Sequence, residues 1–252
     1  KTPCPPPYLP ARFIMRLHTL LLAAFAVTTA KAELFMPAIF SDNMVLQQQL
    51  ANPVWGWDTP GTEVKVVFGA QSKSAQAGAD GRWEVKLDPV PASAAPATIQ
   101  VSGSTAKTFN NVLVGEVWIC SGQSNMQWSV QASDDSDIEA MTAKFPLIRL
   151  ISVPQVGTQE PQRDFKGQWV ECSPTTVPSF SAVGYFFGRV LHQALDVPVG
   201  LINNAWGGSA AEAWVRRDAL EGDARFKLLM ENTVNRETEL NTPEAKARYE
   251  EA

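Results

Sequence analysis

The chain has 252 residues, 45% of them hydrophobic and 19% charged. That is ordinary globular composition, long enough for one large domain or two, and it argues against wholesale disorder. The formal charge is −5, and Lys1, Arg12, Arg16 and Lys31 are the only charges in the first 32 residues. The remainder therefore carries 17 basic against 26 acidic residues, a net of −9, which disfavours nucleic acid or another polyanion as partner.

Residues 1–32 read as upstream sequence plus a secretory signal. Met15-Arg16 opens a short basic region, "LLLAAFAV" supplies an apolar core, and "AKA" (30–32) fits a small-x-small cleavage site. The apolar core is too short to cross a bilayer of ~30 Å, so no membrane span is expected. The alternative is a buried N-terminal helix. The signal reading predicts a secreted or periplasmic protein whose mature chain starts at Glu33.

From Leu34 to about Asn111 short strands alternate with turns. "PVWGW" (53–57) and "EVKVVF" (63–68) come first, and Asp80-Gly81 marks a hairpin-type turn before alternating Trp83, Val85 and Leu87. "PASAAPA" (91–97) reads as a loop and "TIQVSG" (98–103) as a strand. This spacing predicts a small β-sandwich over 33–111, structural or carbohydrate-binding.

The pattern then changes. "VLVGEVWIC" (112–120), "PLIRLISV" (146–153) and "VPVGLINNA" (197–205) are apolar runs typical of strands buried on both faces. Between the last two, Phe180, Val183, Phe187, Val190, Leu191 and Leu195 recur at helical spacing and predict a helix packed on the sheet by that stripe. Buried strands alternating with helices mean a parallel α/β domain over 112–252, with charged helices from about 220.

Ligands of open α/β sheets bind at the carboxyl ends of the strands. Ser124, in "CSGQSNMQW", stands at that edge and is either a nucleophile or the N-cap of the next helix. Gln123 and Asn125 either orient substrate or close the turn. With Ser181 as N-cap, Gly184 occupies the third helical position, whose N–H lacks an intrahelical acceptor. It is either an oxyanion donor or a packing glycine. In "NNAWGGSAAEAW" (203–214), Gly207-Gly208 permits close backbone approach, and Ser209 and Glu212 read as a capping box. Trp206 and Trp214 either wall a sugar site or belong to the core. Asp134, Asp135 and Asp137 read as a solvated helix start.

Histidine is scarce. Only His18 and His192 exist, and His192 lies ~12 Å along the helix from Gly184 at ~1.5 Å per residue. A base for Ser124 is therefore expected elsewhere. Outside the upstream stretch only Cys120 and Cys172 occur. Export permits a disulfide between them without establishing one, and no Cys/His cluster has metal-ligand spacing, so no metal and no cofactor is expected.

Together, "FSDNMVLQ" (40–47), "PVWGW" (53–57), "DGRWEVKL" (80–87), "VLVGEVWICSGQSNMQW" (112–128), "FSAVGYFFGRVL" (180–191) and "PVGLINNAWGGSAAEAW" (198–214) resemble the sialate O-acetylesterase family of carbohydrate esterases, related to the SGNH hydrolases. The resemblance covers about residues 33–217. It implies a flavodoxin-like (SGNH-type) esterase domain behind a β-sandwich, and metal-free hydrolysis of acetyl esters on sialic acid or related glycans. It further implies Ser124 as nucleophile and oxyanion donor, Gly184 as a second donor, and Gly208 near the substrate, beside the substrate-binding candidates Gln123 and Asn125. The family's Asp-x-x-His pair has no match in these 252 residues, which keeps two alternatives open: a non-catalytic glycan-binding protein, or a piece inactive by itself.

Overall fold

The computed structural model describes residues 33–158 and 161–245; the signal expected over 1–32 lies outside them. Among the described residues, ten strands and five α-helices follow one another in chain order. β1 (Val45–Gln47), β2 (Asn52–Trp57), β3 (Glu63–Phe68), β4 (Gln71–Gln76), β5 (Arg82–Leu87) and β6 (Ser93–Ser102) precede the long β7 (Ala106–Gly122). Then come α1 (Ser124–Gln127), α2 (Ser136–Thr142), β8 (Phe145–Ser152), β9 (Val170–Cys172), α3 (Ala182–Leu195), β10 (Val199–Ala205), α4 (Arg217–Glu221) and α5 (Lys227–Leu240).

Alternation decides the N-terminal packing. In β3, Val64, Val66 and Phe68 are buried while Glu63 and Lys65 face water, and Trp83, Val85 and Leu87 do the same in β5. Two sheets result. β2 pairs antiparallel with β5 alone, and the other strands join one sheet in the order β4-β3-β6-β7-β10-β8-β9, with β1 added beside β7. Val54, Trp83 and Leu87 of the small sheet share a core with Val66, Ile99, Val101 and Val112 of the large one. Each such side chain contributes about 1.5–3 kcal/mol by leaving water.

Two local expectations change here. The turn at Asp80-Gly81 forms, with Gly81 at φ 78, but it carries the chain from one sheet to the other instead of closing a hairpin. Hairpins join β3 to β4, around Gly69 at φ 56, and β6 to β7. Residues 93–97 belong to β6, where the register with β7 shifts twice between Ser93 and Ile99. Pro96, which has no N–H to donate, is tolerated in that irregular stretch.

β7 joins the two kinds of sheet. Residues 106–114 pair antiparallel with β6, and Glu116–Gly122 pair parallel with β10. The strand runs unbroken through Asn111, and Ile151 and Trp169 from the α/β part join the N-terminal core. β10 also pairs parallel with β8, and β9 closes that side antiparallel. The core of the second half is thus mixed but mostly parallel, in an α/β arrangement. Its order places the third parallel strand, β10, between the first and the second. A flavodoxin-like order would instead place the first between the other two.

The predicted helix over 179–195 is α3, capped by Ser181 and ended by Asp196 at φ 52. Its buried face is only partly the expected one: of that stripe Phe180 is buried and Leu191 packs against the same core. Ala182, Gly184, Tyr185 and Gly188 face the sheet, while Val183, Phe187, Val190 and Leu195 are 42–62% exposed. The small residues win because they let helix and sheet approach closely: an added Cβ at Gly188 would lie 2.5 Å from Leu201, and one at Gly184 2.9 Å from Cys120 Sγ.

Candidate functional site

Three strands deliver their carboxyl ends to one edge. β7 ends at Gly122 opposite Ala205 of β10, and β8 ends at Ser152 opposite Asn203. The turn leaving β7 passes through Gly122 at φ 141, a conformation available to glycine at little cost. It enters α1, whose single turn closes through Gln127 N–H to the Gln123 carbonyl at 2.9 Å. After α1, the Val130 N–H bonds the Phe180 carbonyl at 3.0 Å and the Ala182 N–H bonds Trp128 at 2.8 Å. The short helix is thereby held between β7 and the start of α3.

Within it, the N-cap is Gln123 and makes no side-chain cap bond; Ser124 is the first helical residue. The capping alternative for Ser124 is therefore excluded by position. The side chains of Gln123, Ser124 and Asn125 are exposed, and hydrogen bonds from these three side chains are absent among the described residues. Three consecutive polar groups stand unengaged at a strand edge, beside first-turn N–H groups that lack intrahelical acceptors. This is an arrangement open to a polar ligand.

The segment after β10 backs onto this turn. The Trp206 N–H donates to the Gly122 carbonyl at 2.9 Å. Gly207 lies against the nucleophile candidate: an added Cβ there would sit 3.5 Å from Ser124 Cα. Its N–H donates to Gln127 Oε1. Gly208, at φ 78 and exposed, has open space where a side chain would be. Gln155 donates to the Ala205 carbonyl at 3.0 Å, bringing the loop after β8 to the same edge. Gln127 and Gln155 escape sequence reasoning because each lies in a stretch whose place at the edge is set only by tertiary packing. Gly207 was visible only as half of a glycine pair.

Gly184 requires correction. Its N–H is not spare: it donates to Ser181 Oγ at 3.0 Å in a buried contact, and the residue packs against Cys120. The N-cap that defines the position also consumes the donor. The capping box at Ser209 does not form either. The short 3-10 turn Ala211–Trp214 has Ala210 as N-cap, and Ser209 Oγ instead donates to the Trp206 carbonyl at 2.7 Å. Asp135 stands at the N-cap position of α2 at φ 52 without a side-chain capping bond, and Asp137 lies in the first turn; both are exposed, as expected of a solvated helix start.

His192 belongs to the opposite edge. Its Nδ1 lies 2.7 Å from the carbonyl of Val197, just before β10 begins. Seven strand residues, or ~20 Å at ~3.3 Å each, separate that level from the end of β7. Cys120 and Cys172 are free, buried thiols. Among the described residues no group of three or more His, Cys, Asp or Glu is arranged to hold a metal ion, and no helix is long and apolar enough to cross a membrane.

A mixed sheet whose second half is mostly parallel, with free polar groups at the carboxyl ends of those strands, defines an α/β protein with a ligand-facing edge. The chain belongs to the carbohydrate esterase family described as sialic acid-specific acetylesterase, whose model matches residues 114–246. It is 33% identical over 209 residues to the sialate O-acetylesterase of Rattus norvegicus, covering 74% of this chain and 38% of that protein. To the sialate O-acetylesterase of Homo sapiens it is 33% identical over 196 residues, covering 69% and 37%. Its structure is similar to the crystal structure of a carbohydrate acetylesterase from Xanthomonas citri, with a TM-score of 0.70 and 34% identity, over 77% of this chain and 45% of that one. The chain thus spans less than half the length of these relatives.

Proposed function

We propose that the protein is part of a secreted or periplasmic serine esterase that removes O-acetyl groups from sialic acid or related glycans. The observation that carries this reading is Ser124, exposed, unbonded and at the carboxyl end of β7, within a segment that the family model covers. Ser124 Oγ attacks the acetyl carbonyl carbon as its proton passes to a base. The carbonyl oxygen becomes an oxyanion held by the Ser124 N–H, and the sugar oxygen leaves with a proton. Water then releases acetate from the acetyl-enzyme. Gln123, Asn125 and Gly208 orient the sugar. No step requires a metal or cofactor.

The base is a residue outside those described, because His192 is bound at the other end of the sheet. By itself, then, the 252-residue chain is expected not to turn esters over. In this reading residues 112–252 are part of an SGNH-type esterase domain, and residues 33–111 form a small β-sandwich that buttresses β7. A serine-directed phosphonate reacted with the full-length gene product labels Ser124, as read by peptide mass. Ser124→Ala lowers acetate release at least ~10³-fold while leaving thermal stability within ~0.5 kcal/mol, since its hydroxyl holds nothing in the fold. Labelling at another serine, or undiminished release, overturns the reading. Unchanged glycan binding together with no hydrolysis by the wild type would favour a binding protein.

A further inference from the structure

Two indoles at the carboxyl edge take no part in the acetyl transfer. Trp206 and Trp214 are each 40% exposed, yet neither is loosely held. The Trp206 N–H is bonded to Gly122 at 2.9 Å, and its carbonyl accepts both the N–H and, at 2.7 Å, the Oγ of Ser209. Its ring rests beside Gly157, where an added Cβ would lie 3.8 Å from Cη2. The Trp214 Nε1–H donates to the same Ser209 Oγ at 2.9 Å. One hydroxyl therefore ties the backbone of the first tryptophan to the indole of the second.

Solvent-exposed indoles forgo the stabilisation that full burial would bring. Here a serine fixes the backbone of Trp206 and holds the indole of Trp214, while the Trp206 ring lies beside Gly157. At the next residue, Gly207, an added Cβ would lie 3.5 Å from Ser124 Cα, so the pair begins beside the proposed nucleophile. Flat, apolar faces complement the C–H faces of pyranose rings. We propose that Trp206 and Trp214, joined through Ser209, form a binding rim for sugar rings of the glycan that carries the ester. This rests on the esterase reading for its substrate but not for its binding. The rim makes the substrate class an acetylated oligosaccharide, with Trp206 under the ring nearest Ser124 and Trp214 under a neighbouring one.

The test uses the full-length protein with three esters: 4-nitrophenyl acetate, O-acetylated sialyllactose and O-acetylated xylotetraose. Trp206→Ala is expected to lower the ratio of kcat/KM for the better sugar ester to that for the aryl acetate about tenfold, through KM. Trp206→Phe, which keeps a flat ring, is expected to restore most of that ratio. Trp214→Ala lowers the ratio for the oligosaccharide ester in the same way. An unchanged ratio in both alanine variants, or equal loss on all three esters, overturns the proposal. Calorimetric titration of Ser124→Ala with deacetylated sialyllactose and xylotetraose reads the rim without catalysis. Should no ester be hydrolysed, the esterase reading fails alone if Trp206→Ala weakens this binding, and the rim fails too if it does not.

Discussion

Cys120 and Cys172 lie in the same apolar cluster but on β7 and β9, with β10 and β8 between them. Three strand spacings of ~4.8 Å exceed the ~7 Å that a disulfide spans between Cα atoms, so the fold keeps both as thiols. Burial pushes Cys120 up to about 11. It pushes Cys172 up to about 12, against the opposing charge of Arg189. The ordinary value is 9.0, so below about pH 8 folded and unfolded chains alike keep these thiols essentially protonated. As pH rises from there towards 12, the unfolded chain releases protons that the folded chain retains, and stability falls. Thermal unfolding between pH 8 and 11 should show this loss, and Cys172→Ala should lessen it. Ser124 differs from these buried groups in one respect that the sequence could not display: it sits one place inside α1, free of the capping duty that its residue type favours.

At the scale of elements, α3 shows how much a helical pattern leaves open. Of the bulky stripe expected to face the core, Phe180, Val183, Phe187, Val190, Leu191 and Leu195, only Phe180 and Leu191 reach it. The helix instead docks through Gly184 and Gly188, and Phe187 packs edge-on against Trp118 with ring centroids 5.1 Å apart. An added methyl at either glycine must displace Cys120 or Leu201. Gly184→Ala and Gly188→Ala are each expected to cost about 1–3 kcal/mol in denaturant unfolding. Existence and type of the long elements were legible, because β8, β10 and α3 announce themselves by apolar runs and helical spacing. Three-residue β9 and the strand character of 93–97 were not, because pairing partners distant in sequence create them. At the site, Ser124 could be located by its place after an apolar strand. That Gly184's donor is consumed, and that Gly207 and Gln127 meet beside Ser124, depends on how separate segments dock.

For the molecule as a whole, Arg149 is one buried residue that bridges the two halves. It is 3% exposed, and Nε donates to Pro146 at 2.7 Å. The guanidinium also reaches the carbonyl and Oδ1 of Asn43 at 3.3 and 3.2 Å and Asn111 Oδ1 at 3.3 Å, with Glu171 at 3.4 Å. Glu171 is half exposed, so that ion pair adds little; the weight rests on the amide acceptors. Asn43 and Asn111 both hold positive φ, at 69 and 55, and so turn their side chains to one buried charge. Arg149→Met should cost about 3 kcal/mol in equilibrium unfolding, and Arg149→Lys should recover only part of it, lacking the planar fork. What the sequence alone determined is the local grammar: two structural regimes, their strands, one helix with its cap, and a serine at a strand end. These follow from alternation, apolar runs and capping chemistry, which are properties of neighbours in the chain. The strand order, the buried face of α3, the separation of the thiols and the constellation around Ser124 were decided by tertiary structure alone. Each depends on which surfaces pack most closely, and that is a competition among segments tens of residues apart.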